Sequence, residues 1–566
     1  MRRSSGERLG PASSEAARVR PNVKAAQDGC FLIAALSLIG LFVAQLLHFA
    51  KMNLPHGTNV FYYLYCHDEP AMLVLFLLLS AILLIAFRFH WLDSIRIPDY
   101  LFSLKGGTRG VFLVSLVVFS TCLIGTFVIF HNFPLSIDEY MADFQARIFA
   151  AGKIKAVIPL EWQKYGLALA PIFATYNPHD HTWTSGYLPV YALLRTPFQI
   201  LGMACVLNPL LAALSVITLA GICRNIWPGN LTRMWIAVII LATSSQFLIT
   251  SMTAYSMPAH LFFNLLWLYL YTAKTRAASL LVPWVGFAAI GLHQPNVHLL
   301  FAAPFLIRLI TERKMRNILY WGTVYCAAIL FWMWWMTMSR NGILAPGLPK
   351  TMDYFGIPRL INVITQLADW SVFLSWQPFI LLLLVYLFFS DWSEASPLFR
   401  DLACGVLLTV LFHFFYLSDQ GHGWGYRYCH SVLGNLALLS VAGFYRMIDL
   451  LGKRASNLVL CLSTLLALFI QLPARSWQAR SFASSFYKAA SLLASRSEEI
   501  VILEPVLFCQ RDLVRNDPLF TTKPMIFDAH RLTTAEASLL KAKYTYWQPS
   551  ISDFADFKVL PNQKEK

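Results

Sequence analysis

The chain has 566 residues, of which 57% are hydrophobic and only 13% charged, with a formal net charge of +15. Soluble domains carry roughly 25% charged residues, so this composition excludes an ordinary soluble protein and points to a chain that crosses a membrane repeatedly. The positive charge does not mark a nucleic-acid binder: much of it sits in the N-terminal tail (Arg2, Arg3, Arg8, Arg18, Arg20, Lys24) and in short loops between apolar runs, the pattern of cytoplasmic segments and of contact with anionic membrane lipids.

Residues 1–29 read as a basic cytoplasmic tail and not as a cleaved leader, because the first apolar run is long enough to span. A helix needs ~20 apolar residues to cross hydrocarbon. Runs near that size occupy 30–50, 71–88, 111–130, 187–204, 205–223, 233–250, 257–272, 280–310 (broken), 318–338, 370–390, 400–418, 431–448 and 457–473. Basic loops at Arg88–Arg109 and Arg308–Arg316 belong inside, which places 131–186, 339–369, 419–430 and everything after 473 outside. The parity between 187 and 310 is open. Either 187–204, with Pro189, Arg195 and Pro197, fails to span, or 280–310 is broken around Pro295. About thirteen spans satisfy both ends. The ten cysteines are scattered without a CxxC pair and read as small core residues. Residues 474–566 form a separate polar region, with strands predicted at 500–503 and 524–527 and a helix at 534–543. The expected fold is therefore an all-α polytopic membrane protein, residues 30–473, carrying a small C-terminal α/β extramembrane domain.

Chemistry concentrates where the chain leaves the run 111–130. Ser136 followed three residues later by Glu139 is a capping box, and Ile137, Tyr140, Phe144 and Ile148 recur at helical spacing. An amphipathic helix over 137–151 is predicted, lying at the membrane interface with Asp138 and Glu139 in its first turn. First-turn acids complement the helix dipole. Charge close to hydrocarbon is also costly, and it persists mainly where it acts.

From here to the apolar helix after Tyr428 the chain resembles a family. Ser136-Ile137-Asp138-Glu139-Tyr140 follows a span and opens a helix with Phe144-Gln145-Ala146-Arg147 and Gly152; an aromatic loop then leads to Ser185-Gly186-Tyr187-Leu188-Pro189-Val190. Asn208-Pro209 and Arg224 follow, and Gly423-Trp424-Gly425-Tyr426-Arg427-Tyr428 precedes a later apolar helix. This order is similar to the protein O-mannosyltransferase and aminoarabinose-transferase group of bacterial membrane glycosyltransferases with the GT-C fold, the glycosyltransferase family 39-like enzymes. Two departures stand out: Tyr187-Leu188-Pro189-Val190 replaces a Tyr-Pro-Pro-Gly step, and His293-Gln294-Pro295 replaces a basic-residue-Pro step.

The resemblance implies an inverting transferase in the bacterial inner membrane. It moves a sugar from a polyprenyl-phosphate donor to a hydroxyl of a glycan, glycolipid or protein acceptor on the outer, periplasmic face. Such a transfer needs a carboxylate to take the acceptor proton, for which Asp138 is the candidate, with Glu139 orienting the acceptor or the helix end. The leaving phosphate needs positive charge, for which Arg427 is the candidate, because a guanidinium holds phosphate oxygens in bidentate fashion; His422 and His430 bracket it. Tyr140, Arg147, Trp162, Tyr187 and His293 are expected to contact substrate or acceptor, and Tyr165, Tyr176 and Trp183 lie in the same aromatic loop. His179, Asp180 and His181 combine metal-ligating types, since some relatives use a divalent ion near the catalytic acid; adjacent positions converge on one ion only if the backbone turns sharply, and a hydrogen-bonded turn is the plainer reading. The segment Asp512–Pro518 reads as a capped turn without chemistry. The rival readings are a secondary transporter, which predicts acids meeting broken helices at mid-membrane, and a ligase or polymerase of surface polysaccharide.

Overall fold

The computed structural model of the chain describes residues 39–40, 42–46, 69–88, 106–339, 343–344, 355–416, 420, 423–505 and 508–554. Most of the run 30–50 and His422 lie outside the described residues. The architecture is a multi-pass helical bundle with a small α/β unit near the C-terminus. Among the described residues six helices are long and apolar enough to cross a membrane, or seven if one bent pair counts as a span.

Four of the runs expected to span are shortened or broken in ways that hydropathy does not register. Helices α1 (Glu69–Arg88) and α2 (Thr108–Val128) follow the expected runs. After α3 (Ile137–Ala150), the run 187–204 forms only the eleven-residue helix α4 (Val190–Ile200). At 1.5 Å per residue, α4 reaches about 16 Å, and it buries Arg195, so it does not cross. Helix α5 (Leu207–Ile226) is continuous, whereas the run 233–250 divides into α6 (Leu231–Ala242) and α7 (Ser245–Ser251), bent by 57° at Thr243–Ser244. After α8 (Met257–Ala273), the run 280–310 becomes α9 (Arg276–Ile290) and α10 (Pro295–Thr311), parted by residues 291–294. Both alternatives left open by the sequence therefore occur together. Helix α11 (Met315–Ser339) is long, but the run 370–390 is cut into α12 (Leu360–Ser375) and α13 (Ile380–Phe389) at Gln377-Pro378. Helices α14 (Pro397–Phe415) and α15 (Leu433–Leu451) complete this part of the bundle.

The last span runs without interruption from α16 (Lys453–Leu466) through a π-helical turn, Ala467–Gln471, into α17 (Leu472–Ala494). Position 474 thus falls inside a helix, and the α/β unit occupies residues 500–554. Arg475 on α17 is wholly buried and grips Glu69 of α1 with two hydrogen bonds of 2.8 and 2.9 Å, while the Trp376 indole donates to the same carboxylate at 2.9 Å. Removing one member of a buried pair leaves a bare charge and costs about 3–5 kcal/mol, whereas replacing both by apolar groups is often neutral. Arg475→Met is therefore expected to lower the thermal unfolding midpoint of the detergent-solubilised protein, and Glu69→Leu/Arg475→Met to recover most of the loss.

Outside the bundle, strands β1 (Ala156–Val157), β2 (Ala174–Asn177), β3 (Thr182–Ser185) and β4 (Ile343–Leu344) make an antiparallel sheet in the order β1-β3-β2-β4. A second, parallel sheet has the order β6-β5-β7, from β5 (Ile500–Leu503), β6 (Met525–Asp528) and β7 (Tyr546–Trp547), with helix α18 (Thr534–Lys543) beside it. Strands β5 and β6 and helix α18 occur where the sequence predicts them. They are not a separate body, however. Ile137, Tyr140, Phe144, Trp183, Ile500, Met525, Phe527 and Leu540 share one buried core.

Candidate active site

The capping box forms as predicted: Ser136 Oγ accepts the Glu139 amide and Glu139 Oε1 accepts the Ser136 amide, both at 3.4 Å. Its consequence is directional. A helix begun this way sends its first-turn side chains to different neighbours, so two adjacent acids acquire different surroundings. The apolar stripe of α3 faces the shared extramembrane core and not lipid, because Trp183 and the strands of the C-terminal sheet cover it. This corrects the expectation of a helix lying in the interface.

Asp138 points at the bundle. Its Oδ2 accepts a 2.8 Å hydrogen bond from Arg427 Nη1, and its Oδ1 accepts the Tyr187 hydroxyl. The two ion-paired side chains are 16% and 10% exposed, so the pair is shielded yet reachable. Asp138, Gln145, Ser185, Tyr187, Tyr255 and His293 are among the residues lining a narrow cleft. The His293 ring lies on Tyr187 with centroids 3.9 Å apart. Burial by itself raises the Asp138 carboxyl, but the Arg427 guanidinium, then His293 and the Tyr187 hydroxyl, outweigh it and hold the group below the usual carboxylate range. Asp138 is accordingly ionised throughout the physiological range.

Glu139 faces the other way and is fully buried. Its Oε2 accepts the amide of Ala254 at 2.8 Å. The segment 253–255 is held again by Asn208, whose amide donates to the Thr253 and Tyr255 carbonyls at 2.7 Å each. That segment carries Tyr255, whose ring lies 5.1 Å from the Arg427 guanidinium carbon. Glu139 thus braces the wall behind Arg427 and does not line the cleft. Burial pushes its carboxyl up to about 7 against the lowering effect of the Ala254 and Ser136 amides, Arg515 and Arg195. A carboxyl raised in this way stabilises the fold fully below its ordinary value of 4.5 and loses that contribution as pH rises through about 7. Glu139→Gln keeps an acceptor for Ala254 but does not titrate. We expect wild-type stability to fall relative to this variant by on the order of 3 kcal/mol between the two pH limits, measured by thermal melting across pH.

Three expected substrate contacts belong instead to the junction with the C-terminal unit. The Tyr140 hydroxyl donates to the Asn516 carbonyl at 2.7 Å, Arg147 pairs with Asp517 at 2.9 Å, and Trp162 packs on Tyr544 and Phe527. Trp183 is fully buried and donates to the Pro518 carbonyl at 3.0 Å. Tyr165 meets Phe527 edge-on, and Tyr176 donates to the Gln163 carbonyl at 3.0 Å. These aromatics are structural because β5 and β6 cover the loop that carries them. Asp512–Pro518, read as a plain turn, is the clamp. Arg515 donates to the Pro134 and Leu135 carbonyls just ahead of α3, and Asn516 bonds Leu169 and both backbone groups of Ile526.

His179, Asp180 and His181 form the turn between β2 and β3. Asp180 accepts both the Thr182 amide and its hydroxyl, and His181 Nδ1 lies 3.0 Å from the Tyr176 hydroxyl. Among the described residues no three His, Cys, Asp or Glu side chains gather as a metal site, so the expected ligand set does not assemble here. His430 follows Arg427 by one turn but is fully buried, and neither ring nitrogen has a hydrogen-bond partner among the described residues. Tyr255 and Gln246, which support Arg427, were missed. The signal available for Tyr255 was Ser256-Met257-Pro258, a helix start that requires a loop just before it; Gln246 had none.

No protein-family model matches the chain, and no curated protein matches it. Among solved structures it is similar to ArnT from Cupriavidus metallidurans in the apo state, with 10% sequence identity and a TM-score of 0.49 over 78% of this chain and 89% of that chain. It is also similar to ArnT from Cupriavidus metallidurans bound to undecaprenyl phosphate, with 13% identity and a TM-score of 0.45 over 78% of this chain and 90% of that chain.

Proposed function

We propose that this protein is an inverting membrane glycosyltransferase of the GT-C group that moves a sugar from a polyprenyl-phosphate donor to an acceptor hydroxyl at the outer, periplasmic face of the bacterial inner membrane. The observation that carries the reading is Asp138: an ionised carboxylate on the wall of a cleft, fixed between Arg427 and Tyr187 at the end of a membrane span.

The chemistry follows from that placement. The acceptor oxygen attacks the anomeric carbon while its proton passes to Asp138, and the bond from that carbon to the phosphate oxygen breaks with both electrons leaving on the phosphate. Asp138 is a weak base with Arg427 beside it. That suffices where the anomeric carbon is already cationic, because the proton is then lost late. Arg427 uses Nη1 on Asp138, and its buried Nε has no partner among the described residues. This leaves donor capacity for the departing phosphate, whose growing charge needs a fixed positive group. A single displacement with no carboxylate nucleophile inverts the anomeric centre.

The test is incubation of the purified full chain with a panel of polyprenyl-phosphate sugars, following release of free polyprenyl phosphate. Consumption of one donor supports the reading. Consumption of none, in the presence of glycan, glycolipid and protein acceptors alike, overturns it.

A further inference from the structure

We propose that Gln246, a residue outside the cleft, is the positioning residue that holds Arg427 on Asp138. The inference rests on the reading of Asp138 and Arg427 as the reacting pair.

The segment Gly423–Tyr426, which leads into Arg427, has no regular structure, so something other than a helix or sheet must fix it. Two glutamines do this. Gln420 donates to the Gly425 carbonyl at 3.1 Å and accepts the Arg427 amide at 2.9 Å. Gln246, fully buried on the first turn of α7, donates to the Tyr426 carbonyl at 2.8 Å. The fit is tight: Gly425 has φ +67°, and a Cβ added there would stand 2.4 Å from Gln246 Oε1. Only glycine satisfies both the left-handed backbone and that approach.

The far end of Gln246 is anchored as well. Its Oε1 accepts Gln377 Nε2 at 3.2 Å, and Gln377 Oε1 in turn accepts the Ser244 hydroxyl at 3.1 Å. This chain ties the loop to two helix breaks, α6–α7 and α12–α13. A glutamine suits the position because the Tyr426 carbonyl can only accept and the Gln377 amide can only donate. A neutral amide meets both demands without placing a charge in the bundle. The same helix, α7, leads into the 253–256 segment that sets Tyr255 against Arg427. Gln246 and Tyr255 therefore both depend on the placement of α7, whereas Gln420 acts from the loop itself. Losing the bond to Tyr426 lets the loop shift, and the 2.8 Å contact with Asp138 lengthens.

The test is Gln246→Leu in the full-length protein, with two readouts. If Arg427 moves off, the Asp138 carboxyl is no longer held low, so its protonation moves to higher pH. Sugar transfer should fall at least tenfold, and the acid limb of its pH profile should rise by about one unit. Separately, labelling of Asp138 by dicyclohexylcarbodiimide, read by mass spectrometry across pH, should show the same upward movement of its midpoint without reference to activity. An unmoved labelling midpoint overturns the proposal, as does lost transfer with an unshifted acid limb, which marks a merely structural residue. A wild-type protein that transfers no sugar overturns the proposed function and leaves the labelling experiment to decide this inference.

Discussion

Asp138→Asn is expected to reduce sugar transfer by at least a thousandfold while leaving a folded, membrane-inserted protein that still takes up the donor. General-base catalysis contributes roughly 10²–10⁴-fold, and this substitution removes the base without changing its size. The amide oxygen can still accept the Tyr187 hydroxyl, so the wall of the cleft keeps its shape. What disappears is the negative charge beside Arg427, and with it the ability to accept the acceptor proton. The measurement pairs turnover of a polyprenyl-phosphate sugar with donor binding to the same preparation. Near wild-type turnover would remove Asp138 from the reaction, and loss of binding together with turnover would make it a structural residue.

Arg427→Leu is expected to have the second large effect, through two routes that can be separated. Loss of the charge facing the phosphate should lower transfer by a hundredfold or more, since one fixed charge-stabilising group is commonly worth 10²–10³ in turnover. It also strips Asp138 of its partner. In the wild type the lowered carboxyl contributes stability above its unfolded value, and that contribution is lost as pH falls through the folded value. In the variant the contribution is absent, so thermal midpoints of the two proteins should differ at neutral pH and converge in acid. Arg427→Lys keeps a charge but not the planar fork. It should restore part of the neutral-pH stability and little of the transfer. Equal transfer by the Lys and wild-type forms would show that a point charge is enough.

The two acids illustrate how far residue order carries. Ser136 and Glu139 form their capping box from atoms three residues apart, so a local pattern was enough to place the helix start. The same pattern could not say which acid faces the cleft. Asp138 and Arg427 are 289 positions apart, and Glu139 and Ala254 are 115 apart. Tyr187, His293 and Arg427 stand out in the sequence because each precedes a helix start, and the structure gathers them around Asp138. Tyr140, Arg147 and Trp162 are equally polar-aromatic or basic and lie close to Asp138 in the chain, yet they serve the junction with residues 500–554. No local feature separates the two groups. What separates them is the sheet β6-β5-β7 lying over the loop.

Composition and apolar run length determined that this is a multi-pass membrane chain. Local spacing determined the capped helix at 137, the strands at 500 and 525 and the helix at 534, since those follow from backbone and side-chain preferences within a few residues. Tertiary structure alone decided which apolar runs stay whole, that the C-terminal unit shares a core with the 131–186 loop, and that Arg427 reaches Asp138. The physical reason is that these outcomes depend on burying surfaces and pairing charges across hundreds of residues, and such pairings leave no periodic trace in the order of the amino acids.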